Sequence, residues 1–148
     1  MTELVIRPME QADIALLCAA DGGETPENRE CFERYYTWQQ EKKDCVFLLA
    51  FLKQQLAGHL FVFYHDDPSL GQGPDMPGLA DLHVYEPFRG IGVASALLTA
   101  GERLAGTVSD RVFLTVQPDL PIKQAYERRG YQYFGEYGDD LALVKQLN

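Results

Sequence analysis

The sequence predicts a mixed α/β fold in which about four helices cover the faces of a central sheet of six or seven strands. Three observations support this prediction. The chain has 148 residues, of which 46% are hydrophobic and 24% charged, and this composition is typical of one domain with a buried core. Short apolar runs alternate with segments of helical periodicity. The resulting order, β-α-α-β-β-β-α-β-α-β-β, places helices against a mixed sheet.

The start of the chain predicts one strand followed by two helices. The strand spans 4–7, and the helix over 10–20 has apolar residues at helical spacing before two glycines interrupt it. The second helix spans 25–43, with Thr25 as its N-cap and Pro26 at the first helical position. This segment therefore carries its own start signal.

The middle of the chain predicts three strands, a long loop and a helix. The nearly continuous apolar runs 45–53 and 56–65 indicate a hairpin that is buried on both faces. The stretch 66–78 is rich in proline and glycine and predicts a loop. A strand over 79–85 and an amphipathic helix over 91–105 follow.

The last third predicts a strand, a helix and a closing hairpin. The strand is the β-branched segment 111–116, and the helix 121–129 ends at Gly130, a residue typical of the position after a helix. The hairpin pairs 131–137 with 141–147 around a Gly-Asp turn.

Charge and cysteine content exclude several classes of function. With 13 basic and 22 acidic residues the net charge is −9, which argues against a non-specific nucleic-acid binder because such proteins need a basic face. Three widely spaced cysteines (Cys18, Cys31 and Cys45) fit neither a disulfide framework nor a zinc site, and the histidines lack a ligand spacing, so no metal is predicted. The chain start lacks a signal-peptide pattern, and the apolar run 45–52 is too short for a membrane span. We therefore expect a cytoplasmic protein.

The sharpest chemical signal is the glycine-rich turn 88–94 between a strand and the long helix. A helix start exposes about four unpaired backbone N–H groups, and glycines let an anion approach them. Arg89 adds a positive charge, so the turn predicts a pyrophosphate site. A dinucleotide fold is a weaker interpretation, because its third glycine is expected at Ser95. A strand-to-helix turn without any ligand is a further possible interpretation.

Two motifs resemble those of the GNAT superfamily of N-acetyltransferases. Segment 84–94 is similar to the acyl-CoA motif of that family, with Arg89, Gly92 and Ala94 at its three defined positions. Segment 126–131 is similar to the family's Tyr-x-x-x-Gly-(Phe/Tyr) block. The resemblance covers essentially the whole chain. It implies a single domain over 1–148 and a mostly antiparallel sheet that is splayed at its centre.

The resemblance also implies acetyl-CoA as co-substrate and direct acetyl transfer to a primary amine. The turn amides would bind the pyrophosphate, and the main chain of 82–84 would pair with the pantetheine arm, with the Val84 N–H near the thioester carbonyl. The residues so implied are Leu82, His83, Val84, Arg89, Gly90, Ile91, Gly92, Val93, Ala94, Ser95 and Tyr126.

Tyr126 is the general acid that the resemblance implies, since the departing thiolate needs a proton donor. The alternative is an ordinary aromatic residue on an amphipathic helix. Because the transfer is direct, the cysteines are not expected to act as nucleophiles, and buried inert thiols are the preferred interpretation.

The general base is less clear from the sequence. Family members often carry Glu or His at positions that map to Gly78 and Ala80, and neither of these can take a proton. Asp81, His83 and Glu86 are ionisable candidates nearby, but strand alternation predicts that Asp81 and His83 face away from the acceptor. Glu24 or a water relay is an equally good candidate.

The acceptor is expected to be a cationic small molecule or peptide amine. The segment 10–44 contains more acidic than basic residues and several aromatic ones, among them Tyr35, and such a surface suits a cation with an apolar body. The acidic residues could equally serve only solubility, and the aromatic ones could be core. The same fold could also belong to a non-catalytic acyl-CoA sensor. A homodimer is compatible with the sequence.

Overall fold

The computed structural model describes residues 3–42, 44–65, 76–118 and 120–147, with Lys42 described by its backbone alone. The strands of the described part are β1 (Leu4–Pro8), β2 (Cys45–Leu52), β3 (Gln55–Phe63), β4 (Gly78–Val84), β5 (Arg111–Val116), β6 (Gln132–Tyr137) and β7 (Asp140–Gln146). Its α-helices are α1 (Asp13–Ala20), α2 (Pro26–Thr37), α3 (Val93–Ala105) and α4 (Ile122–Arg128). The predicted element order is confirmed. Residues 66–75 of the predicted loop lie outside the described ranges.

The strands form one mixed, mostly antiparallel sheet with the order β1-β2-β3-β4-β5-β7-β6. The pairs β1–β2, β5–β7 and β6–β7 are antiparallel. The β4–β5 pair is parallel and is registered at Gly78 and Phe113. Beside this pair, the backbone N–H of Phe113 donates to the carbonyl of Pro77 at 3.0 Å.

The first two helices start differently. α1 begins at Asp13 rather than at Glu10 as predicted, and no side chain caps its N-terminus. The Asp13 carboxylate instead accepts from the backbone N–H of Glu10 at 2.7 Å and from Arg7. Thr25 caps α2, since its hydroxyl accepts from the Asn28 N–H at 3.2 Å. This confirms the start signal that the sequence predicts.

The second helix ends earlier than the sequence predicts. Its α-helical part stops at Thr37, and a π-helical turn over Trp38–Lys42 follows. The Gln39 amide donates to the Met9 carbonyl and accepts from the Phe47 N–H, both at 2.9 Å. A polar side chain on the predicted apolar face is therefore satisfied by backbone groups. Lys43, the predicted last residue, lies outside the described ranges.

The chain folds into two compact units. The first comprises the described residues up to Phe61 together with Asp81–Gly101, and β3, β4 and α3 contribute to both units. Its core is apolar and buried, and it includes Leu17, Phe32, Phe47, Leu49, Leu60 and Leu97.

The second unit comprises Val62–Ala80 and the described residues from Glu102 onwards. The Phe63 and Phe113 rings pack edge to face, with their centroids 5.6 Å apart. The unit also buries a carboxylate, that of Glu102. This group accepts hydrogen bonds from Arg129, Lys145 and Tyr131 at 2.8–3.0 Å.

Candidate active site

The turn before α3 is open to an incoming ligand. Gly90 and Gly92 have positive φ angles of 79° and 95°, which L side chains rarely adopt. A Cβ added at either glycine would meet no atom within 4 Å. Both residues are exposed, so the backbone of this turn can be approached closely.

The geometry of this turn suits an anion. The helix begins at Val93, and its first backbone N–H groups lack acceptors within the helix. The side chain of Arg89 is fixed beside them, because its Nε donates to the Val84 carbonyl at 2.8 Å. Amide donors, a guanidinium and the positive end of the helix dipole thus lie on one short segment.

The strand that leads to this turn is irregular at Asp81. Asp81 has a φ of 55°, the left-handed conformation that non-glycine residues seldom adopt. Its backbone carbonyl lies 2.9 Å from Nδ1 of His59 on β3. Because a carbonyl oxygen can only accept, Nδ1 carries the proton and the lone pair of the ring is on Nε2.

The Asp81 carboxylate faces α2. The hydroxyl of Tyr35 donates to its Oδ2 at 3.3 Å. Burial raises the pKa of Tyr35, and the charge of Asp81 raises it further. His83 lies on the same side, since its ring stacks on that of His59, which contacts Phe47 beside Tyr35. Asp81 and His83 thus share one face, as strand alternation predicts. The prediction that this face turns away from α2 is wrong, and a role of either residue as base stays a prediction.

Aromatic rings surround the His59 side chain. The ring centroids of His59 and His83 are 5.6 Å apart and stacked, and those of His83 and Tyr85 are 4.9 Å apart in an edge-to-face arrangement. Phe47 lies on β2 with its ring centroid 5.0 Å from that of His59. We call His59, His83 and Tyr85 the imidazole cluster.

The Tyr85 hydroxyl has an unmet hydrogen-bonding capacity. Tyr85 is buried, and its oxygen finds no hydrogen-bond partner in the described part of the chain. Burial raises the pKa of this phenol, so it stays protonated at neutral pH. A buried hydroxyl of this kind normally binds an ordered water or a ligand.

Glu24, another candidate base, has a different environment. Its carboxylate is exposed and accepts from Nε of Arg29 at 2.8 Å. Among the aromatic residues predicted near the acceptor, Phe32 is buried core, whereas Tyr35, Tyr36 and Trp38 are half-buried. The core interpretation is thus correct for Phe32.

Tyr126 lies in the second unit, on α4. It is 9% exposed, and its ring packs edge to face against Tyr131 with the centroids 5.8 Å apart. Burial raises the pKa of Tyr126 above its ordinary value. The phenol is therefore protonated at neutral pH, as a proton donor must be.

A side chain cannot be accommodated at Gly78. A Cβ at this position would lie 2.7 Å from Cε1 of Phe113 and would also overlap the ring of Phe63. The position to which the family's base maps is thus filled by two phenyl rings. An ionisable side chain at this position would require both rings to move.

The cysteines and the possible metal ligands have the following environments. Cys18 and Cys45 are buried, and burial raises the pKa of the Cys31 thiol, which keeps it un-ionised. In residues 3–42, 44–65, 76–118 and 120–147, no cluster of three or more His, Cys, Asp or Glu side chains could hold a metal ion.

Comparison with known proteins identifies the family. The model of the Acetyltransferase (GNAT) family matches residues 13–131, which is most of the chain. This chain belongs to the GNAT acetyltransferase family. It is therefore an acyltransferase by family, as the motif resemblance implies. No curated protein matches the sequence.

Solved structures share the fold of this GNAT chain. A PaiA N-acetyltransferase from Thermoplasma acidophilum, in complex with coenzyme A, is 16% identical with a TM-score of 0.67, over 97% of this chain and 99% of its own. GNAT-family acetyltransferases from Streptococcus pneumoniae (20%, TM-score 0.69) and Staphylococcus aureus Mu50 (13%, TM-score 0.70) each cover 99% of this chain and 100% of theirs. None of the helices described here has the length and apolar character that a membrane crossing requires.

Two residues near Asp81 are not among the predicted site residues, namely His59 and Tyr85. The available signal was a histidine in the middle of an otherwise apolar strand, since burying an imidazole is costly unless its nitrogens are used. Its partner is the main chain of Asp81, which no side-chain pattern can indicate.

Proposed function

We propose that this protein is an N-acetyltransferase that moves an acetyl group from acetyl-CoA to a primary amine of a cationic small molecule or peptide. One observation carries the proposal: the open turn at Gly90 and Gly92 ahead of α3, in a chain of the GNAT family. The solved relative with bound coenzyme A supports the choice of co-substrate.

The main chain of this segment binds the co-substrate in the proposal. The backbone amides of 90–95 and the Arg89 guanidinium hold the pyrophosphate, whereas the Arg89 N–H donates to the Glu86 carbonyl at 3.2 Å. The main chain of 82–84 aligns the pantetheine arm. The Val84 carbonyl accepts from Arg89, and the Val84 N–H, a donor, is the group proposed for the thioester oxygen. The turn and Arg89 thus bind the charged pyrophosphate, and the Val84 N–H stabilises the developing oxyanion.

Acetyl-CoA supplies a thioester whose carbonyl carbon accepts the amine and whose sulfur leaves with the electron pair of the C–S bond. Tyr126 donates a proton to that sulfur and regains one from the amine nitrogen. Its raised pKa keeps it protonated before transfer. No acyl-enzyme forms, so the buried thiols have no role.

Acidic and aromatic side chains make the acceptor side suitable for a cation. The Asp81 carboxylate beside Tyr35 is one such pair, and acidic residues are frequent along 10–44. Negative charge attracts an ammonium and aromatic faces bind it. We propose no metal and no nucleic acid as partner. A cytoplasmic location and a homodimer stay predictions.

A non-catalytic acyl-CoA sensor is the second candidate. The observation that favours it is the crowding at Gly78, which excludes a base at the mapped position. Such a sensor would bind CoA but transfer nothing to any amine.

Two measurements test these functions. Calorimetry with CoA tests the binding site, and we expect saturable binding. An amine library with acetyl-CoA, followed by thiol release, tests transfer. Binding without amine-dependent release would select the sensor, and no binding at millimolar CoA would contradict both functions.

A further inference from the structure

His59 is an imidazole enclosed in an apolar strand. It is 4% exposed on β3, a strand whose residues from Ala57 to Phe63 are all buried. Burying a polar ring costs free energy unless its nitrogens have partners. One nitrogen, Nδ1, donates to the Asp81 carbonyl at 2.9 Å, which fixes the ring orientation and leaves a basic Nε2.

The surroundings keep this ring neutral at rest. Burial lowers the pKa of His59, the charges of Asp81 and Asp21 oppose that shift, and His83 adds to it. The net pKa lies below the ordinary value. Of the titratable groups around the ring, Tyr85 is also protonated and uncharged at neutral pH. A neutral imidazole can accept a proton and release it again.

The imidazole cluster also has a position at which the acceptor amine, or a water that relays its proton, can bind. The Tyr85 ring lies edge to face with His59, with the centroids 5.8 Å apart. Its hydroxyl has no partner among the described residues, so a water or the acceptor itself can bind there. His83 stacks on His59 and is half-buried, which brings the cluster to the surface.

We propose that Nε2 of His59 accepts the first proton of the acceptor ammonium, directly or through a water bound at Tyr85. This assignment rests on the proposed N-acetyltransferase function. The neutral amine nitrogen then bonds to the thioester carbon as the C–S bond breaks, and the sulfur keeps the electron pair. The second amine proton passes to the sulfur through Tyr126. His59 returns its proton to solvent, so the net reaction releases one proton.

The test uses His59→Asn. The Asn amide can replace Nδ1 as donor to the Asp81 carbonyl, but it cannot accept a proton. In the wild type, kcat/KM should rise with pH through a midpoint below about 6.5, because protonated His59 cannot act as base. We call this rise the acidic limb of the pH profile. In His59→Asn the acidic limb should vanish, and kcat should fall about 100-fold or more. CoA binding should be unchanged.

Two further variants and one spectrum distinguish the alternatives. His65→Asn changes an exposed histidine and should keep the wild-type kcat and the acidic limb of the pH profile. If the limb survives in His59→Asn and is lost in His83→Asn, His59 is the wrong residue. A ¹⁵N spectrum should show His59 protonated at Nδ1, and the opposite tautomer would overturn the assignment whether or not transfer occurs. If the wild type acetylates no amine in the library, the proposed function itself fails.

Discussion

Single residues carry the proposed chemistry, each through its own surroundings. At Gly78 two phenyl rings occupy the space of a side chain. At Tyr126 burial holds a phenol in its protonated form. At His59 one backbone carbonyl selects the tautomer. Each of these effects depends on contacts within a few ångströms and is testable by one substitution.

Tyr126→Phe removes the proposed acid while it keeps the ring. We expect kcat to fall about 100-fold, because the departing thiolate loses its proton donor. Calorimetry should show the same affinity for CoA. Tyr133→Phe is the control, since Tyr133 is 60% exposed on β6. An unchanged kcat in Tyr126→Phe would remove the acid role.

Gly78→Ala introduces a methyl group where Phe63 and Phe113 leave no room. We expect the free energy of unfolding to drop by about 1–3 kcal/mol, as in other overpacked cores. Urea denaturation measures this loss. Gly135→Ala is the control, because its Cβ would make only an ordinary contact of 3.7 Å with Tyr137. Equal stability of the two variants would refute the crowding argument.

At the scale of elements, the proposed site depends on two local features. One is the turn that leads into α3, and the other is the irregular backbone of β4 at Asp81. Strand and helix bounds followed from apolar periodicity and caps, so β5 and the start of α2 were predicted closely. The left-handed residue 81 was not predicted. Aspartate tolerates this conformation better than most residues, but that preference is too weak to predict it inside a strand. The Asp81 carbonyl is held by the side chain of His59 on β3.

Gly92→Ala tests the turn as an element. The φ of 95° is strained for alanine, and the added methyl group would occupy open space that the proposal assigns to the pyrophosphate. We expect CoA affinity to fall about 10-fold or more. Gly138→Ala is the matched control, since that glycine also has a positive φ and an open Cβ direction, but lies in the β6–β7 turn. Similar affinities of the two variants would contradict a phosphate site here.

At the scale of the whole molecule, a buried ionic network makes stability depend on pH. Burial alone would raise the pKa of Glu102, but hydrogen bonds from Arg129, Lys145 and Tyr131 lower it below its ordinary value. The folded state therefore binds this proton less readily than the unfolded state. The stabilisation is complete above about pH 4.5 and is lost as the pH falls through the folded pKa.

Glu102→Gln should remove this contribution. We expect a loss of about 3 kcal/mol at pH 7, because the variant leaves Arg129 and Lys145 without their buried counter-charge. The difference from wild type should shrink below pH 4. Glu127→Gln is the control, since the Glu127 carboxylate is exposed and pairs with Lys123 at 3.6 Å along α4. Denaturation at pH 7 and pH 3.5 measures both, and equal losses would contradict the network's role.

The single-domain prediction for 1–148 can be checked by calorimetry. The two units share β3, β4 and α3, so we expect one cooperative unfolding transition with equal calorimetric and van't Hoff enthalpies. Two separate transitions would contradict a single domain.

The sequence by itself determined the element order, the glycine turn and the family, because periodicity, caps and positive-φ glycines act within a few neighbouring residues. Tertiary structure decided which distant side chains meet. The carbonyl of Asp81 meets His59, two phenyl rings fill the space at Gly78, and four residues spread over 102–145 form one ionic network. Such contacts arise from the register and geometry of paired strands and packed helices. They join residues far apart in the chain, so local patterns carry no information on them.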